Sequence, residues 1–205
     1  MSGPRAESPV VIDVSGLPAT VFGRWDLGWW GTIGFAVIEG VTLFICLVAY
    51  LYLRQNFDQW PPPGTPPPDP APYAAQVGLM LLSWIPARRM DVAARRFDGA
   101  SVRRWLVVLA VLVIAFLALR VLEVRALHTR WDADAYGTTT WTLLLMHGSL
   151  IVVEVGEVLT MLAIFHSRRV TERHCSDASD IVAYWYFLTG SWIVLAAILV
   201  LWPRL

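Results

Sequence analysis

Five apolar stretches, each closed by a polar break, run through the chain from residue 28 onward. The first, Gly28 to Leu53 (GWWGTIGFAVIEGVTLFICLVAYLYL), rises roughly 39 Å as a helix at about 1.5 Å per residue, more than a hydrocarbon core of about 30 Å. It starts too late and runs too long for a signal peptide, and no small-residue cleavage pattern follows it. The second, Tyr73 to Pro86, is shorter, but the helix-compatible segment ARRMDVAARRF extends it, as in a span whose cationic end rests among headgroups. The third is Trp105 to Val124, the fourth Thr138 to Phe165 and the fifth Ile181 to Trp202. The pattern predicts an all-α, polytopic membrane bundle of five transmembrane helices over residues 28–205, preceded by an extramembrane tail at 1–27. Between the first two runs, NFDQWPPPGTPPPDPAPY (residues 56–73) is dense in proline and predicts a stiff extended strap rather than a helix. No internal repeat is apparent, which counts against an inverted-repeat transporter.

Composition agrees with the pattern: 57% of the residues are hydrophobic and 16% charged, against about 25% charged in soluble domains. Lys+Arg and Asp+Glu number 16 each, and no long basic block gives a reason to propose nucleic acid as a partner. Charge is informative by position. Arg88, Arg89, Arg95, Arg96, Arg103 and Arg104 crowd the break between the second and third runs, and Arg168, Arg169 and Arg173 follow the fourth. The positive-inside rule places both breaks in the cytoplasm, with the N-terminus inside and the C-terminus outside. Cys46 lies in an apolar run and Cys175 in a polar break, so neither a disulfide scaffold nor a metal-ligand spacing is indicated.

Ionisable residues inside apolar runs are costly, and they mark the candidate chemistry. Glu39 lies near the middle of the first run. His147 and Glu154, seven apart in the fourth, return to nearly the same helical face, and Glu157 follows close to one turn on. Arg120 and Glu123 sit three apart near the outer end of the third, where an ion pair or snorkelling can satisfy both. Two readings stay open for Glu39, His147 and Glu154: interhelical hydrogen bonds that hold a bundle, or a proton, ion or lipid-headgroup role. His147, Glu154 and Glu157 offer nitrogen and oxygen ligands, but there is no second intramembrane histidine and no HExxH motif, so no metal is assigned. His128, His166 and His174 all fall at or beyond the membrane edge, which removes the paired ligands a membrane haem requires. With no GxSxG elbow, phosphate-binding glycine loop, CxxC pair or dinucleotide fingerprint, no catalytic residue is assigned in this chain.

Four stretches carry a family resemblance: WWGTIGFAVIEGVTLFICLVAYLYLR at 29–54, LALRVLEVR at 117–125, YGTTTWTLLLMHG at 136–148 and AYWYFLTGSWIVLAAIL at 183–199. Together they resemble, in order, the last five helices of subunit III of haem-copper terminal oxidases, the cytochrome c oxidase family. Glu39 stands at the family's buried glutamate. Glu123 matches the glutamate of a glutamine-and-glutamate pair in which Arg120 replaces the glutamine. Tyr136, Gly137 and His147 keep the spacing from a tyrosine-glycine pair to the first histidine of a two-histidine motif, whose second place holds Leu150. Tyr184, Trp185 and Phe187 match an aromatic ending in which Tyr186 replaces a histidine.

The resemblance implies a short, five-helix form lacking the first two of the family's seven helices. It implies a non-catalytic accessory subunit, without haem or copper of its own, in a multi-pass complex of the bacterial inner membrane. Haem and copper belong to the partners, catalytic subunit I and subunit II, during aerobic electron transport. The implied roles are stabilising subunit I, holding phospholipid and supporting proton uptake. Two alternatives stand beside it: the related accessory subunit of nitric oxide reductase, and a small unrelated transporter motivated by the intramembrane acids.

Overall fold

The computed structural model describes residues 20–167 and 170–204. The tail before residue 20, and Arg168 and Arg169 among the orienting arginines, lie outside the described residues. Five long helices follow a short 3-10 turn at Gly23–Trp25: α1 (Leu27–Gln55), α2 (Pro70–Arg95), α3 (Gly99–Arg125), α4 (Ala135–His166) and α5 (Glu172–Val200). Among the described residues there is no strand. The chain is thus an all-α, multi-pass membrane bundle.

Four of these helices, α1, α3, α4 and α5, are long and apolar enough to cross a membrane by length and composition, against the five that the sequence pattern predicts; α2 falls short of that measure. The reason lies in its second half. Apolar character in α2 lasts only from Tyr73 to Ala87, about 22 Å of helix, before Arg88, Arg89, Asp91 and Arg95 follow. The proline strap is also shorter than expected, because residues 70–73 are helical. Pro70 and Pro72 fall in the first turn, where no intrahelical N–H bond is lost, and the Asp69 carboxylate caps them by accepting from the Ala71 N–H at 3.2 Å. Likewise α5 begins nine residues before its apolar run and takes Cys175 into its first turns, since Thr171 and His174 form a capping box.

The helices α1 to α4 each open on a capping aspartate: Asp26, Asp69, Asp98 and Asp134. Asp98 stands outside the α3 span, and hydrogen bonds from Ser101, its side chain first and its backbone N–H second, hold the carboxyl below the usual aspartate range. A depressed value means the stabilisation is present above the ordinary aspartate pKa and is lost as pH falls through the lowered one. Asp98→Ala is therefore expected to melt below wild type at neutral pH and to converge with it in acid. A gap in melting temperature that stays constant across that range would remove the capping role.

Helix α5 is central, packing on α1, α2 and α4; α2 also packs on α3, and α3 on α4. Buried residues of α2 (Tyr73, Gln76, Met80, Ser83, Ala87, Met90, Ala94) recur at alternating spacings of three and four. Those of α3 (Val102, Leu106, Leu109, Val113, Phe116, Arg120, Glu123) do the same, so each helix presents one straight seam. Helix α1 is peripheral. It buries only Ala36, Leu43 and Tyr50, a single stripe one residue wide at every second turn, against α4 and α5.

The ends are tied by aromatic and polar contacts. Trp60 of the strap is buried, with ring centroids 5.4 Å from Tyr50 of α1 and 5.2 Å from Tyr136 of α4. The Asp69 N–H donates to the Ala126 carbonyl at 3.1 Å, joining strap and α3–α4 loop. Beside Tyr136, the α4 backbone passes so close to the Arg130 carbonyl that a Cβ on Gly137 would collide with it, while the Gly137 N–H donates to Asp134 at 2.7 Å. Gly137→Ala is expected to destabilise the loop by about 1–3 kcal/mol, read as faster proteolysis between residues 126 and 135. Unchanged cleavage there would show that the loop yields freely.

Candidate functional site

The ionisable residues of the apolar runs gather into two clusters at different depths. In the half of the bundle where α2 begins, the Arg120 and Glu123 side chains are 2.9 Å apart, Arg120 Nη1 to Glu123 Oε2, and both residues are buried. The pair is internal; neither residue snorkels to the membrane surface. Arg120 Nη2 lies 2.9 Å from His147 Nδ1 on α4, and His147 Nε2 lies 3.0 Å from the Leu188 carbonyl on α5. A guanidinium can only donate and a carbonyl can only accept, so these contacts fit one imidazole form, neutral with its proton on Nε2. The Arg120 guanidinium also sits 4.0 Å from the Trp192 ring centroid, and Tyr73 O–H donates to the Glu123 carbonyl at 3.2 Å. Three helices, α3, α4 and α5, are thereby joined through one arginine, and α2 caps the group.

Both ring nitrogens of His147 are engaged by protein groups, so the residue offers no lone pair to a haem or metal. Among the described residues no three His, Cys, Asp or Glu side chains converge to hold a metal ion.

The second cluster lies in the other half. Glu39, Glu154 and Tyr184 each stand twelve positions in from the helix ends on that side, Leu27, His166 and Glu172, a common depth of about 18 Å. Tyr184 O–H donates to Glu39 Oε2, joining α5 to α1. Glu154 is fully buried on α4, and both of its carboxylate oxygens lack a hydrogen-bond partner. It is within electrostatic reach of Glu39 and Glu157. Glu157, expected on the same seam, is instead exposed and lines a cleft with Thr160, Asp177 and Ile181. Three residues turn a helix by about 300°, which sets Glu157 about 60° off the line of Glu154, and the buried seam continues through Val158 instead.

Trp185 makes a separate bridge. Its indole N–H donates to Ser83 Oγ on α2 at 2.6 Å, and its ring packs on Phe116 of α3 at 5.5 Å. Sequence reasoning passed over Ser83, Gln76 and Tyr73, although all three occupy the three-and-four seam of α2. That periodicity is the signal that marks them. Trp192, between Arg120 and His147, carries no such mark, since tryptophan recurs at many positions in the chain. Of the resemblance-derived departures, Leu150 is a buried packing residue, and Tyr186 is partly exposed with its ring 5.3 Å from Trp84.

No protein-family model matches the chain. Curated proteins do. The chain is 26% identical over 178 residues to "Cytochrome c oxidase subunit 3" of Synechocystis sp., covering 84% of this chain and 75% of that protein. It is 27% identical, again over 178 residues, to "Cytochrome c oxidase subunit 3" of Thermostichus vulcanus, covering 85% of this chain and 87% of that protein. Over most of its length, then, this membrane bundle is similar to proteins that carry that name.

Proposed function

We propose that the chain is a non-catalytic accessory subunit of a haem-copper terminal oxidase, of the subunit III kind. The observation that carries the reading is the similarity over 178 residues, which covers most of the chain rather than one motif. On this reading residues 28–205 form the subunit-III-like domain in a bacterial inner membrane. Helix α2 completes a fifth crossing by letting its arginines reach the cytoplasmic headgroups, which puts the N-terminus inside and the C-terminus outside. The chain's own contribution is mechanical and electrostatic. Arg120, Glu123 and His147 lock α3, α4 and α5 at one depth, Tyr184 and Glu39 pin α1 at another, and Trp185 ties α5 to α2. A bundle fixed in this way presents a constant face to catalytic subunit I and subunit II. The apolar groove between α1 and α5, about 390 Å³ and lined by Leu43, Leu47, Phe187 and Val194, suits a phospholipid acyl chain. The intramembrane acids are the groups available to support proton uptake by the partner.

The test is capture of the native membrane complex through a tag on this chain, with mass spectrometry and a reduced-minus-oxidised optical spectrum of the same sample. The expected result is a stoichiometric oxidase catalytic subunit with its haem signal. A nitric oxide reductase catalytic subunit in its place would move the chain to that complex. An isolated, colourless protein across several mild detergents would overturn the accessory-subunit reading.

A further inference from the structure

We propose that Glu154 is a proton-exchange site, serviced from the end of the bundle where α4 finishes and α5 begins. The site differs in kind from the Arg120 cluster, where every charge has a counter-charge or a donor. Glu154 is fully buried with neither oxygen hydrogen-bonded. The titratable groups within electrostatic reach of it are acidic or phenolic. Glu39 comes from α1, Glu157 from its own helix and Tyr184 from α5. Helix α3, which packs on α4, carries no titratable side chain between Arg104 and Arg120, so it brings no cation to this depth.

A carboxyl group in that setting needs a cation or a donor, and the protein supplies neither. The carboxylates do not converge as a metal cage would require. A proton is the cation that one carboxyl oxygen can hold without a cage, and a series of acids stands between Glu154 and the helix ends. Glu157, close to one turn along α4, lines a cleft of about 430 Å³ together with Asp177 of α5. Asp180 follows on α5 and is within electrostatic reach of both Glu157 and Asp177. Asp177, Asp180, Glu157 and Glu154 thus descend from the helix ends to the level of Glu39 and Tyr184. Each is an oxygen acid able to take a proton from one neighbour and release it to the next, with water in the cleft as the carrier. No bond other than O–H is made or broken.

The proposal concerns this chain's own side chains, and its test is independent of which catalytic partner is captured. Infrared spectra of the complex purified through this chain, in H2O and D2O, read the carbonyl stretch of protonated carboxylic acids. Glu154→Gln is expected to abolish one such band, distinguishable from any band removed by Glu39→Gln. In the wild type that band should shift promptly on transfer to D2O, and Glu157→Gln, at an exposed position, should slow the shift severalfold without altering assembly. The proposal is overturned if Glu154→Gln leaves every carboxylic band in place, or if the Glu154 band fails to exchange in wild type. Exchange at an unchanged rate in Glu157→Gln would overturn the assigned route. Should Glu154→Gln fail to assemble, Glu157→Gln and Asp177→Asn still decide through the exchange rate of the wild-type band.

Discussion

Replacing Arg120 by alanine is expected to destabilise the bundle by about 3–5 kcal/mol, the cost of removing one partner from a buried ion pair. The lost side chain serves three groups at once. Glu123 keeps its carboxylate in the interior without a counter-charge, His147 Nδ1 loses its donor, and the Trp192 ring loses the cation above it. Thermal unfolding of the purified protein in mild detergent should show the loss, together with reduced accumulation in the membrane. The double replacement Arg120→Met with Glu123→Leu is expected to recover most of it, because removing both charges also removes both desolvation costs. If the double variant were as unstable as Arg120→Ala, the contribution would lie in His147 and Trp192 rather than in the ion pair. If Arg120→Ala melted like wild type, the cluster would have no structural weight at all.

Trp185→Ala is expected to cost about as much, roughly 3–5 kcal/mol, for a different reason. Trp185 is among the largest fully buried side chains and stands where α2, α3 and α5 meet. In a bilayer the truncated site gains little from the hydrophobic effect, so the loss is chiefly of close contacts and of a filled interior. Trp185→Phe separates the two parts. It restores most of the volume but leaves Ser83 Oγ without the indole N–H, and should cost about 1–2 kcal/mol. Melting temperatures of the two variants, each with and without Ser83→Ala, read the difference. A Phe variant as unstable as the Ala variant would assign the energy to the hydrogen bond.

How much of this was legible beforehand differs by link. Helix number and order follow from the apolar runs, because a span needs length and little else. The ends were less legible. Proline density at residues 70–73 reads as an extended segment unless the first turn of a helix is considered, where Pro70 and Pro72 cost nothing. The polar start of α5 reads as loop until the Thr171 and His174 cap is seen. For the candidate site, the seven-residue spacing of His147 and Glu154 places both on the α4 seam, and the structure buries both. Depth on one helix does not say what faces it from another. The joining of Arg120 to His147, and of Glu39 to Tyr184, depends on how antiparallel helices align, which single-helix periodicity does not contain. The family resemblance supplies the order of the motifs along the chain but not these pairings, and the similarity to two proteins named cytochrome c oxidase subunit 3 agrees with the family it points to.

The short apolar length of α2 bears on the membrane itself. A stretch of about 22 Å beside neighbours that exceed about 30 Å leaves a deficit near 8 Å on one flank of the molecule. Lipid meeting that flank must compress, at a fraction of a kcal/mol for each ångström. Leu81, Leu82, Trp84 and Ile85 are exposed on α2 at this level, so the thinned lipid would touch them directly. A neighbouring protein that covered this flank would relieve the compression, and the bilayer's elasticity would then contribute to holding the two together.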